Sequence, residues 1–495
     1  MPKQEAYRLF FICRRAVDTS DLQSHEKYRV RKSRLPPFIS EEQAKKVLRC
    51  GKAAGFLTRT RGDSQQLTSD ASLRDACDQL KRQDVSWAFC LEKQLLFWRL
   101  VDNIHASIDR QVLSVMMNDC QLVQHLEALN KFLLLSQDDF VRQLMRLIQE
   151  ELQLKASISQ HHCAQMVLAA LQQSNACHEA PDVLARVDAE PFDDEGPFPW
   201  DDFALKYRID GPLEAVITEE RLRTYKLLFR FLWSLKRAHF VLDSLWQAAL
   251  RHERLMQDAI PEVIPLFRRF HLLTQEMLNF VNQLQYHVAF EVIEPAWRQL
   301  RKKIGEDAGV AFLDSVTEAY DAYLEQLAQN CFLKDDSLNG LLCAVFELVT
   351  ELEALELTLA DRCAQELKDR QPFEEREKAR RSAKTWSASE DELTQEERRR
   401  AMAAAAMVKG VSAELGVVRQ RYRTAMKELL LLFGSNASDA VRSLCFHVDF
   451  NHFYRRKEPT LADQFKFARL SRFTGGAVSF YAGRPTGLFT TQKPQ

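Results

Sequence analysis

Apolar residues return every three to four positions through most of the chain, and this spacing predicts helix after helix. Residues 86–108 carry apolar side chains around most of the helical circumference, as a buried helix does. In 122–134 the stripe runs through Leu122, Leu126, Leu129 and Phe132. Asp138 is placed to cap the next helix, whose inner face holds Phe140, Leu144, Leu147 and Ile148. A long helix over 219–252 has one stripe through Leu228, Phe231, Leu235, Ala238, Leu242 and Leu245. A second set, Tyr225, Phe229, Trp233 and Phe240, covers other faces. A helix apolar on several faces belongs in the centre of a bundle. The next, 262–303, repeats the spacing through Phe270, Leu273, Met277, Phe280, Leu284 and Val288, and Pro295 should kink or end it. Helices also fit 308–332, 336–370 and 404–433. The pattern therefore predicts an all-α fold of elongated, stacked helical bundles.

Four stretches depart from it. Residues 203–218 alternate Phe203, Leu205, Tyr207 and Ile209 before Asp210-Gly211-Pro212, which predicts a small β-hairpin element. Residues 179–202, rich in proline and acids, read as a surface loop. Residues 366–400 hold ten basic and ten acidic residues with few apolar ones, a solvated helix extension followed by a flexible linker. The stretch 452–495 carries eight basic residues against two acids, and its end reads as a disordered tail.

Composition narrows the function. Lys and Arg number 68 against 69 Asp and Glu, so no excess of positive charge is available to cover nucleic acid or a membrane surface. Gly and Pro number 15 each, too few for a turn-rich sandwich or barrel. The 11 cysteines include no Cys-x-x-Cys pair and sit mostly in apolar runs, as reduced thiols used for packing. No apolar stretch reaches the ~18 residues that span a bilayer.

Catalytic and cofactor signatures are missing. There is no phosphate-binding glycine loop, no dinucleotide fingerprint, no His-Glu-x-x-His and no nucleophile elbow. His161, His162, Cys163, Cys177 and His178 lack the spacing of a zinc site, so neither a metal nor a cofactor is expected. Pattern and composition alone leave a scaffold, a helical-rod tether of vesicles and an enzyme on a helical frame all open.

Three segments together carry a resemblance. The first, 225–246, contains Phe231-Leu232-Trp233, Lys236-Arg237, Leu245 and Trp246. The second, 277–297, contains Phe280, Gln285-Tyr286, Phe290-Glu291-Val292 and Trp297. The third, 443–454, contains Phe446, Asp449-Phe450-Asn451 and Tyr454, with His447-Val448 where Arg-Leu is usual. In this order and spacing they resemble the C-terminal grip domain of gamma-tubulin complex components. Residues 26–57 and 200–218 are similar to the component-three branch of that family.

The resemblance implies residues 1–118 as the end of an N-terminal grip domain. It implies 119–456 as the C-terminal, gamma-tubulin-binding domain, with a charged flexible insert at 371–402, and leaves 457–495 as the basic tail. It implies a non-enzymatic subunit of a microtubule-nucleating complex at a centrosome or spindle pole. Gamma-tubulin and, laterally, component two are the expected partners. Neither nucleic acid nor membrane insertion is expected. Gamma-tubulin should be acidic on average, which makes Lys236, Arg237, Arg455 and Arg456 candidate contacts, with Asp449, Asn451 and Tyr454 as polar recognition. Trp233, Trp246, Tyr286, Phe290, Trp297 and Phe450 read as motif core.

Overall fold

The computed structural model describes residues 12–14, 28–30, 32–35, 39–61, 91–153, 159–190, 200, 203–210, 213–214, 216–304, 313–382, 390–435 and 439–457. Among them the fold is helical, with two two-stranded antiparallel sheets. The chain forms two compact units: Met1–Phe240 with Val288–Asp336, and Val241–His287 with Ser337–Gln495. The expectations for 86–90 and 458–495 lie outside the described residues.

In the first unit β1 (Ile12–Arg14) pairs with β2 (Tyr28–Val30) ahead of α1 (Glu41–Arg61). A capping box starts α1: the Ser40 hydroxyl accepts from Gln43 N, and the Gln43 side chain accepts from Ser40 N. Helix α1 packs on α2 (Leu91–Ser114), which widens into a π-helical segment at Val115–Asp119. Gln121 then turns the chain in a left-handed conformation, φ 49°. Next comes α3 (Leu122–Ala128), which passes into a second π segment, Leu129–Leu133. Leu122, Leu126, Leu129 and Phe132 are all buried, although the widened turn was not foreseen.

Helices α4 (Asp138–Gln153) and α5 (Gln160–Gln173) pack as a pair. The supposed loop 179–202 is more ordered than expected. It contains α6 (Pro181–Leu184) and β3 (Val187–Ala189), which pairs with β4 (Leu205–Tyr207). Val187, Ala189, Leu205 and Tyr207 face inward, so the hairpin is half of a packing layer.

Helix α7 (Glu219–Met256) contributes to both units. In the first, Trp233 is fully buried against Phe203 and Phe229, with ring centroids 4.7 and 5.8 Å away. Its indole N–H donates to the Trp200 carbonyl at 2.8 Å. Nearby, the Tyr320 hydroxyl donates to that of Tyr225 at 3.1 Å, and Tyr320 stacks on Tyr323. Trp297, half-buried, meets the Tyr323 ring edge-on.

Helix α8 (Ile264–Tyr286) runs into a third π segment, His287–Ile293, and then α9 (Glu294–Ile304). Pro295 does not end this run, since it lies in the first turn of α9. Its ring has no N–H and crowds the carbonyl four residues back, at Glu291, where the helix has already widened. The first unit closes with α10 (Leu313–Asn330).

The second unit holds α8, α11 (Asp336–Ser382), α12 (Glu390–Ser435), α13 (Asp439–Val448) and α14 (Phe453–Lys457). The insert expected to be flexible is helical on both sides, through Ser382 and again from Glu390. By length and composition α12 is apolar enough to cross a membrane, contrary to the expectation that no stretch is. Here Ala404, Met407, Val411, Leu415 and Val418 form its buried stripe.

Buried cysteines serve as apolar filler. Burial pushes the thiols of Cys163, Cys331 and Cys445 up to about 12, so they stay protonated. Among the described residues no group of three or more His, Cys, Asp or Glu could hold a metal ion.

Two buried polar sites yield predictions. The Tyr323 hydroxyl is buried without a hydrogen-bond partner among the described residues. Tyr323→Phe should therefore leave stability unchanged or raised, whereas Tyr320→Phe should cost about 1–3 kcal/mol by orphaning Tyr225. Chemical denaturation of both variants checks this. His125 Nδ1 lies 2.6 Å from the Tyr207 hydroxyl, and burial, helped by Arg186, lowers its pKa. A lowered folded pKa means that its stabilisation is present above the ordinary histidine value and is lost as pH falls through the folded one. Urea melts between pH 8 and 5 should show stability falling below about pH 6.5, by up to about 1.4 kcal/mol per unit. His125→Gln should flatten that slope.

Candidate functional site

The third motif forms a turn between two helices. Helix α13 ends at Val448, and α14 begins at Phe453. Between them Asp449 is completely buried. Its carboxylate accepts from Tyr454 N at 2.9 Å, Arg455 N at 3.2 Å and Arg455 Nε at 2.7 Å. Two of these donors are first-turn amides of α14, so Asp449 is a helix cap and an ion-pair partner at once. Arg455 also donates to the Asp449 carbonyl at 2.6 Å, and its guanidinium lies 6.0 Å from the Phe446 ring centroid. The Asn451 side chain accepts from Phe453 N at 3.1 Å. His452 closes the turn in a left-handed conformation, φ 61°.

Tyr454 ties the turn to α8. Its hydroxyl donates to Glu276 Oε1 at 3.1 Å, while the Tyr422 hydroxyl of α12 donates to the Glu276 carbonyl at 3.3 Å. Burial, together with the adjacent Glu276 carboxylate, pushes the Tyr454 pKa well up, so the phenol remains a neutral donor. Three helices thus meet at Glu276, a residue the sequence reading did not single out. A lone Glu on an amphipathic helix carries no signal of such a role.

This geometry revises several expectations. Asp449 is fully buried, and Tyr454 and Arg455 are bonded within the turn and to α8. Asn451 and Arg456 are exposed. Three of the supposed core aromatics are not core: Phe450 is 67% exposed, Phe290 61% and Tyr286 51%. Phe450 lies inside the turn, where no helix face directs it inward, and Phe290 lies in the third π segment. Tyr286, at the end of α8, stands edge-on to His447. Of the other three, Trp233 is fully buried, while Trp246 and Trp297 are half-buried.

The basic pair of the first motif is engaged within its own unit. Lys236 Nζ is 2.6 Å from Asp138 Oδ1. Burial alone would raise the Asp138 carboxyl, but Lys236 and Arg142 outweigh it and hold it below its usual value. Asp138 opens α4 and uses its side chain on these two cations. Arg237 lies over the Trp200 ring, 5.1 Å from the centroid.

Family comparison agrees with the motif order. The gamma tubulin complex component N-terminal model matches residues 3–119, and the C-terminal model matches 122–454. The chain belongs to the gamma-tubulin complex component family. It is 30% identical over 97% of its length to the gamma-tubulin complex component 3 homolog of Xenopus laevis, covering 52% of that protein. It is 29% identical over 92% of its length to human gamma-tubulin complex component 3, covering 50%. To the spindle pole body component alp6 of Schizosaccharomyces pombe it is 31% identical over 62% of its length, covering 36%. The chain spans about half the length of the curated component-three relatives it matches.

A buried ion pair that loses one member leaves the other uncompensated, at a cost of about 3–5 kcal/mol. Asp449→Asn should lower thermal stability by that order while far-UV circular dichroism stays helical. Asn451→Ala should cost about 1 kcal/mol, the value of a lost cap.

Proposed function

We propose that this chain is a non-enzymatic scaffold subunit that holds one gamma-tubulin. It sets that gamma-tubulin beside those of neighbouring subunits, component two among them, as a template for microtubule nucleation. The template works by effective concentration: gamma-tubulins already in a row replace an unfavourable encounter of free subunits. Nucleotide chemistry belongs to the bound tubulin. The name of the alp6 relative supports placement at a spindle pole or an equivalent organising centre. Neither nucleic acid nor insertion into a membrane enters this reading.

The observation that carries it is the turn after α13. Asp449, Tyr454 and Arg455 hold it rigidly from beneath, which leaves Phe450, Asn451 and Arg456 facing solvent. A fixed, exposed aromatic beside a cation has the composition of an interface anchor for an acidic partner. Tyr286, in the same unit as the turn, is a further exposed motif aromatic assigned to docking. Lys236 and Arg237 serve the fold of the first unit rather than the interface.

Size-exclusion chromatography with light scattering tests capture of gamma-tubulin. A 1:1 complex is expected. Phe450→Ala and Arg456→Glu should each weaken capture at least about tenfold with the thermal melt unchanged. Lys236→Glu should leave capture intact and lower stability instead. Undiminished capture by the Phe450 variant would remove the turn from the interface. Recovery of vesicle-tethering subunits and no tubulin would overturn the reading as a whole.

A further inference from the structure

Helices α11 and α12 change character along their length. Up to Glu366 they are joined through buried side chains, such as Cys363 and Met407 with their sulfurs 3.7 Å apart. At the changeover Glu366 and Arg370 are both buried and paired at 2.8 Å. Arg370 also donates to the Ala259 carbonyl, and Arg399 of α12 reaches Glu366 at 3.3 Å.

Beyond this point the apolar seam stops. No described side chain in 371–382 or 391–403 is buried. Ion pairs replace packing: Glu374 with Arg400 at 3.7 Å and Arg380 with Glu392 at 2.9 Å cross between the two helices, while Glu396 pairs with Arg399 and Arg400 within α12, both at 2.9 Å. Arg400 also lies 5.8 Å from the Phe373 ring centroid. Hydrogen bonds from Arg399, opposed by burial and joined by Arg400, hold the Glu396 carboxyl at about 2. Pro372 interrupts the backbone ladder of α11 where this region begins.

We propose that the α11–α12 hairpin beyond Glu366 is an electrostatically latched arm that opens independently of the helical core. Exposed ion pairs stabilise weakly and are screened by salt, whereas a buried apolar seam is not. Short helices without tertiary packing are marginal in water. Glu366 and Arg370, deeper and hydrogen-bonded on several sides, mark the point where opening stops. The open arm can exchange its own pairs for those of a charged partner segment with little net loss.

Hydrogen exchange read by mass spectrometry on the full chain tests this. On raising NaCl from 50 mM to 1 M, amides in 373–382 and 391–400 should exchange about ten times faster. Those in 342–363 and 407–430 should not change. Glu392→Gln, which removes the charge facing Arg380 across the hairpin, should produce the same local acceleration at 50 mM NaCl. Unchanged exchange in both conditions would show that the latch is not ionic. Equal acceleration of the arm and the core would show that the arm is no separate unit. Either result overturns the proposal.

Discussion

A carboxylate with no access to water must be satisfied entirely by the protein around it, and Asp449 shows what that demand organises. Satisfying it takes the first amides of α14 and the Arg455 guanidinium. Those bonds determine where α13 stops and α14 starts. The second tie, from Tyr454 to Glu276, sets the turn against α8. The position of the outward residues 450, 451 and 456 follows from these buried contacts rather than from anything they touch themselves.

The three motifs divide along the same line. Each mixes residues that build the frame with residues that the frame displays. In the first, Trp233 is core while Arg237 covers Trp200. In the second, Phe280 and Leu284 are buried whereas Tyr286 and Phe290 are exposed. In the third, the frame is polar and the displayed residue is aromatic. A rule that sends aromatics inward and charges outward therefore inverts the third motif and misreads half of the second. Large apolar residues on a surface, and buried charges with complete partners, are the informative exceptions.

The helical fold was legible because 3–4 spacing is a local property that long helices repeat many times. The stripe of α7 from Leu228 to Leu245 is buried as its spacing requires. The family was legible from the ordered motifs. Three kinds of feature were not. Strand β3 is three residues long and gains its stability from pairing with β4 across a sequence gap and from burying Val187 and Ala189. The helical insert depends on pairs such as Arg380 with Glu392, whose partners twelve positions apart are brought together only by the hairpin. Glu276 acquires its role from helices whose contacting tyrosines lie 146 and 178 residues later. Each of these depends on a tertiary neighbour, which periodicity cannot name.

The π segment at His287–Ile293 bears on how this sequence relates to others. A π turn is one residue of surplus length absorbed without breaking the helix. A one-residue gap there, in an alignment with a relative, would record the gain or loss of a bulge rather than damage to the element. In an α-helix without such a bulge, an added residue would turn everything downstream by about 100° about the helix axis. The widened turn thus lets a single codon enter or leave this stretch while the side chains of α9, Trp297 included, keep their faces.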